Sequence, residues 1–299
     1  MEDVTPSRQA DPFARRSWPI RGFRFFSRWP VFSSLIVVAL VVSALFAPLI
    51  APQDPLLDSL RDRNDPPAWF EDSTGKYLLG ADPLGRDLLS RIIHGARISM
   101  MVAAVAIVTG ITIGTTLGLL AGYFGGAVDE TIMRLLDVNA AIPFLLLALI
   151  VVMVFGQSLG VLMAVLALSN WGGPARLVRA QALSLRTLDY VLQAQIMGAS
   201  TPRIILKHIL PGVTNTVVVV ATISVGSVIL AESILSFLGA GIPPPTPAWG
   251  SMVASGRNYL GSAWWIAVFP GVAIFMTVLA FNFLGDWLRD RWDPQLRQL

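Results

Sequence analysis

Residues 187–211, TLDYVLQAQIMGASTPRIILKHILP, form a polar and basic island between two long apolar runs. The order of residues predicts a helix, a glycine break and a second helix. Gly198 suits the left-handed position that ends a helix, Thr201 can cap the next one, and Pro202 fits a first turn. Pro211 marks the junction with the apolar run that follows. An ordered helical elbow between apolar runs is shaped to touch a partner.

The runs on either side set the class of the chain. Of 299 residues 54% are hydrophobic and only 14% charged, too apolar a balance for an ordinary soluble domain. A helix crosses a hydrocarbon core of roughly 30 Å with about 20 residues. Six stretches meet or approach that length: 31–51, 98–122, 132–155, 159–178, 213–239 and 264–284. The fourth is interrupted after Leu168 by Asn170, Trp171, Gly172, Gly173 and Pro174. The expected fold is therefore an all-α membrane protein with six transmembrane helices. Residues 1–30 form a tail, 31–51 the first span, and 52–97 a loop carrying an amphipathic helix. Residues 98–285 hold spans two to six, with the polar loop at 179–211, and 286–299 form a second tail.

Basic residues orient this layout. Arg8, Arg15, Arg16, Arg21, Arg24 and Arg28 precede the first span, and Arg289, Arg291 and Arg297 lie at the other end. With Arg176, Arg179, Arg186, Arg203 and Lys207 around the elbow, both termini and the elbow are expected in the cytoplasm. The 52–97 loop is expected outside; its six basic residues are offset by eight acidic ones. The basic pI of about 9.7 thus reflects topology signals in contact with membrane lipid, and a nucleic-acid role is not expected.

Several local patterns add detail. In the outer loop Asp82 can cap a helix, with Pro83 in its first turn and Leu88, Leu89, Ile92 and Ile93 on one apolar side. Gly110, Gly114, Gly118 and Gly122 recur every four residues, a smooth face that lets another backbone approach; packing is the expected role. Pro143 should kink the third span. Arg134 and Asp137, three apart, suggest a local ion pair, and Asp129 and Glu130 an anionic helix start. The run from Ser236 to Gly250, with Pro243, Pro244 and Pro245, reads as a stiff extended loop anchored by Trp249.

Chemistry is notable for what the chain lacks. A phosphate cradle of the Gly-x-x-x-x-Gly-Lys-Ser/Thr form needs a lysine that neither Lys76 nor Lys207 supplies. Only His94 and His208 are present, far apart, and there is no cysteine, so no zinc site, disulfide or thiol nucleophile is expected. No serine sits in a Gly-x-Ser-x-Gly elbow. No catalytic and no metal-binding residue is assigned. Glu232, deep in the fifth span, is a candidate for the translocation path or for a buried carboxylate bonded to neighbouring hydroxyls; the second is preferred.

The elbow resembles the cytoplasmic loop of permease subunits of ATP-binding-cassette importers. Gly198, Leu210 and Pro211 match that loop in identity and spacing. The family's Glu-Ala-Ala triplet falls on Leu192, Gln193 and Ala194, so the glutamate is missing. Other stretches narrow the resemblance to the peptide and nickel branch: Gly80, Asp82, Gly85, Arg86 and Asp87; Leu230-Ala231-Glu232; Leu235 to Gly239; Pro243 to Pro247; Trp249 to Met252; and Asn282 to Asp286. Their order is similar to the second permease of dipeptide or oligopeptide systems.

The resemblance implies a type I importer permease fold in a bacterial cytoplasmic (inner) membrane. It implies a heterodimer with a homologous second permease and two cytoplasmic ATP-binding subunits. These would dock through Leu192, Gln193, Ala194, Gly198, Ala199, Ser200, Arg203, Leu210 and Pro211. ATP and Mg would sit on those partners, with no cofactor in this chain. It also implies an extracytoplasmic binding protein meeting the outer face, where Asp82, Arg86, Asp87 and Trp249 are candidate contacts. Peptides are the expected cargo by breadth of resemblance. The rival reading is an ion-coupled secondary transporter with Glu232 as coupling site; against it stand the single deep carboxylate and the absence of an evident repeat.

Overall fold

The computed structural model describes residues 30–292, and the regular structure among them is helical, with one isolated bridge between Ala81 and Asp87. The basic segment 1–29 and residues 293–299, read above as parts of the two tails, lie outside the described residues. Among the described residues five helices are long and apolar enough to cross a membrane, or six if one bent pair counts as a span.

Helix α1, Val31–Ile50, carries Pro48 and leaves Leu35, Leu45 and Leu49 exposed, as suits a helix at the rim of a bundle. Helix α2, Leu88–Phe124, is 37 residues long. At 1.5 Å per residue that is about 55 Å, well beyond the hydrocarbon core. The expected outer helix is thus the first turns of α2 rather than a separate amphipathic element. Its N-cap is Asp87, whose side chain accepts from the Ser90 N–H. Asp82, read above as the cap, instead closes the turn before it, accepting from the Leu84 N–H at 2.8 Å and the Arg86 N–H at 3.1 Å. Asp82 lies six residues before Leu88, too far upstream to cap the helix, and Gly85 at φ +73° closes the turn between them.

The third span is broken. Helices α3, Gly126–Ala141, and α4, Phe144–Phe155, meet at Ile142–Pro143 with a bend of 81°. Pro143 lacks an N–H and its ring would clash with the carbonyl four residues back, so a straight 132–155 helix is impossible. The fourth span, α5 (Leu159–Ser169) and α6 (Gly172–Leu185), is interrupted at Asn170 and Trp171 and runs seven residues past the expected end. The glycine stripe of α2 faces α6. A methyl group added at Gly118 would lie 2.6 Å from the Ala175 carbonyl oxygen, and one at Gly122 2.8 Å from that of Arg179. Only glycine permits this approach.

The elbow comprises α7, Asp189–Ile196, and α8, Thr201–Ile204. Ser200, not Thr201, occupies the cap position of α8, and it makes no side-chain cap bond. Nor does Pro211 separate the elbow from the fifth span: a π turn at Ile205–Ile209 carries α8 directly into α9, Leu210–Phe237. Helix α10, Trp249–Gly256, and a turn at Arg257–Tyr259 lead to α11, Trp265–Trp292. The run of prolines turns at Pro244 and Pro245 instead of extending.

Among the described residues two apolar clusters dominate the bundle, beside a small third one of Leu136, Trp171 and Ala175. The larger, with Leu88, Val102, Ile229, Leu235, Trp249 and Ile266, fills the half nearest the outer loop. The smaller, with Leu119, Val178, Val191, Ile204, Ile209 and Val213, seats the elbow against α2 and α6.

Candidate functional site: the helical elbow

The elbow is built from backbone outward. Gly198 has φ +78°, the Ala199 N–H bonds the Ala194 carbonyl, and the Gly198 N–H bonds that of Gln195, both at 3.0 Å. This is the Schellman ending, which consumes the last carbonyls of α7 and turns the chain sharply. Val191 is fully buried and pins α7 to Ile204, Ile209 and Val213. Tyr190 Oη donates to the His208 carbonyl at 3.3 Å, joining α7 to the π turn.

The outward surface is mixed, with its most exposed side chains at an apolar tip. Ile196 and Met197 are 86% and 87% exposed at the tip, and Leu192 is 41% exposed beside them. Of the expected docking residues, Leu192, Gln193, Gly198, Ser200, Arg203 and Pro211 are exposed, while Ala194, Ala199 and Leu210 are half-buried. Two fully outward large apolar side chains at a loop tip mark a contact surface. Sequence reasoning passed over Ile196 and Met197; their place just before the helix-ending Gly198 was the signal available.

Arg179 of α6 and Arg186 just past its end brace this end. Arg186 Nη1 donates to the Gly122 and Tyr123 carbonyls at 3.1 and 3.2 Å, satisfying the end of α2. Arg179 grips Asp129 with two bonds, Nη2 to Oδ2 at 2.6 Å. Asp129 does lie in the first turn of α3. The expected Arg134–Asp137 pair does not form. Arg134 reaches Glu130 at 3.4 Å, and Asp137 pairs with Arg176 of α6 at 3.1 Å. A side chain at i+4 and a cation on a neighbouring helix outcompete the i+3 geometry.

The outer candidates are inside the protein, contrary to a role as exposed contacts. Asp82 is 4% exposed, Asp87 2% and Trp249 1%. Asp82 Oδ2 holds Arg86 Nη2 at 2.6 Å, with Arg91 Nε at 3.4 Å. Trp249 Nε1 donates to the Ile92 carbonyl at 2.9 Å, its ring lying where a side chain at Gly95 would be. These residues lock the loop to the start of α2. Trp249 is an anchor directed inward, because its indole finds both an apolar pocket and an acceptor there. Glu232 is fully buried, accepting from Ser236 Oγ at 2.6 Å and Ser233 Oγ at 3.4 Å on its own helix. Among the described residues no cluster of three His, Asp or Glu side chains is disposed to hold a metal.

Comparison with known proteins follows the same lines. The family described as "Binding-protein-dependent transport system inner membrane component" matches residues 114–298, and the "N-terminal TM domain of oligopeptide transport permease C" matches residues 24–67. A di/tripeptide transport system permease protein, DppC of Pseudomonas aeruginosa, is 43% identical over 88% of this chain and 87% of its own. A glutathione transport system permease protein, GsiD of Pectobacterium atrosepticum, is 42% identical over 89% and 87%. Among solved structures, a chain of the inward-facing MetNI methionine ABC transporter superposes with a TM-score of 0.54 at 20% identity. The match covers 67% of this chain and 94% of that one, a likeness of fold.

Proposed function

We propose that this chain, which belongs to the binding-protein-dependent transport system inner membrane components, forms half of the translocation pathway of an ATP-driven importer of di- and oligopeptides. It is a multi-pass permease of the inner membrane, and the family places it among transport subunits rather than catalytic ones. In this reading a homologous permease completes a heterodimer, and two cytoplasmic ATP-binding subunits hold ATP and Mg. An extracytoplasmic binding protein delivers the peptide, and both termini face the cytoplasm. The relatives named for dipeptides, and those named for glutathione, itself a peptide, support peptide cargo.

The observation that carries the reading is the elbow. Its exposed tip, Ile196 and Met197, is rigidly tied by Val191, by the Tyr190–His208 bond and by the π turn to α9, a 28-residue helix that continues directly from the elbow. A push on the tip therefore moves a membrane-spanning rod rather than a loose loop. Coupling of this kind needs a docking surface and a stiff lever, and ligand or nucleotide supplies the differential affinity. Leu192 stands where many relatives place a glutamate, so docking rests on apolar shape.

The test is reconstitution. The tagged chain is purified from its native membranes with whatever remains bound, placed in vesicles with ATP inside, and given labelled dipeptide, tripeptide and glutathione with the binding protein outside. Uptake that requires ATP and co-purified ATPases supports the proposal. Recovery of the chain alone, with uptake driven by an ion gradient, overturns it.

A further inference from the structure

Two helices break side by side. The α3–α4 break at Ile142–Pro143 and the α5–α6 break at Asn170–Trp171 open onto one cleft of about 330 Å³, lined by Asn139, Pro143, Ser169, Gly172 and Arg176. Its depth follows from the glycine stripe. Gly110, midway along the apolar 98–122 stretch, packs against the Asn170 backbone, where an added methyl would sit 3.2 Å from the carbonyl oxygen. Gly122, about 18 Å further along α2 at 1.5 Å per residue, packs against Ala182. The α5–α6 break thus lies level with the midpoint of the apolar stretch of α2.

Irregular backbone at that depth survives only where protein encloses it or water reaches it. Arg176 lines the cleft, and its ion-pair partner Asp137 lies beside it, outside the lining. Arg176 Nη2 lies 3.1 Å from Asp137 Oδ1, with the two side chains 49% and 70% exposed. Arg176 is six residues from Asn170, about 9 Å nearer the elbow. Asn170 Nδ2 is buried without a partner, although the neighbouring backbone is occupied. Gly173, in the first turn of α6, has open space where a Cβ would stand.

We propose that this cleft is a water-lined station on the translocation route that receives the charged ends of a peptide. Arg176 takes the carboxylate, Asp137 beside the cleft takes the ammonium group, and the Asn139 amide bonds the peptide backbone. The inference rests on the peptide-import reading above. The resting pair is neutral, so a zwitterionic peptide can exchange both partners together, and no bare charge is created at membrane depth. A single fixed charge would instead trap one end.

The chain contains no cysteine, so one introduced thiol reports one place. Asn139→Cys is made in the otherwise intact complex, and its modification by water-soluble thiosulfonates, one anionic and one cationic, is read by mass on this chain. Both reagents react at similar rates, and dipeptide with binding protein and ATP slows them. Adding Arg176→Gln leaves Asp137 alone and favours the cationic reagent by about tenfold, while Asp137→Asn favours the anionic one to the same degree. A pair that merely braces two helices against lipid gives none of this. Reaction only with membrane-permeant N-ethylmaleimide, or labelling that ignores both peptide and the charge changes, overturns the station. Peptide uptake by the unaltered complex is measured in the same vesicles. Its absence removes the import reading, whereas unreactive thiols with uptake intact remove only the station.

Discussion

The Leu210 N–H bonds the Ile205 carbonyl, five residues back rather than four, and the next residue is Pro211. A proline ring clashes with the carbonyl at i−4, here Lys207, and cannot bond it. Widening the turn by one residue relieves the clash without ending the helix. The π turn is thus how this chain keeps α8 and α9 continuous through a proline, and it sets how the elbow is rotated about α9.

Pro211→Ala restores the missing donor and lets the turn relax to α geometry. Losing the extra residue rotates the elbow by about 100° relative to α9. The complex should still fold, but ATP-driven uptake should fall by about tenfold or more as the lever points the wrong way. Uptake and ATPase rate measured together check this; unchanged coupling would show that the π turn is incidental.

Docking through apolar shape sets opposite expectations for two residues on one surface. Leu192→Glu, which installs the charge common in relatives, should change binding-protein-stimulated ATPase activity little. Met197→Asp, at 87% exposure, should leave the melting temperature unchanged yet weaken retention of ATPase subunits by about 2 kcal/mol, as truncating a central apolar anchor does. Co-purification from solubilised membranes reads both. A large gain from Leu192→Glu would show that charge, not shape, limits docking.

Gly118→Ala pushes a methyl group to 2.6 Å from the Ala175 carbonyl oxygen, and α2 and α6 must part. The expected cost is about 1–3 kcal/mol, with a lower thermal midpoint in detergent. Gly160→Ala, within α5 where nothing lies within 4 Å, is the control and should be neutral or slightly stabilising.

Glu232→Gln keeps an acceptor for Ser236 in the same shape, so uptake should stay within about twofold of the unaltered protein. Glu232→Ala strips both serines of their acceptor and opens a cavity, and is expected to cost about 2–4 kcal/mol. An uptake that loses its driving force in Glu232→Gln would return this carboxylate to the transport mechanism.

The outer loop carries an acid-sensitive clasp. The Lys76 ammonium, bonded at 2.7 Å, with the Tyr77 and Ser59 hydroxyls, lowers the Asp62 carboxyl from 3.8 to about 2. A carboxyl lowered on folding stabilises the folded loop above its unfolded pKa, and that contribution fades as pH falls through 3.8 towards 2. Pepsin cleavage between residues 59 and 77 should therefore rise from pH 4 to pH 2 in the unaltered chain, and Asp62→Asn should be cleaved readily at both.

Apolar length alone marked the membrane spans, since burying some twenty residues in hydrocarbon leaves helix as the only solution for the backbone. Gly198 announced the end of α7 and Pro143 the broken third span, because each imposes its backbone constraint whatever surrounds it. The elbow was legible for the same reason. Which partner a side chain meets was not. Asp137 turned from Arg134 to Arg176, 39 residues away, and Asp82 closed a turn instead of capping a helix. Trp249 went inside to reach Ile92. The stripe from Gly110 to Gly122 foretold a close approach and not that α6 makes it. Backbone constraints and hydrophobic length act within a few residues and can be read along the chain. Ion pairs, hydrogen bonds of buried indoles and the meeting of two helix breaks depend on which distant segments the packed bundle brings together, and only the tertiary structure decides that.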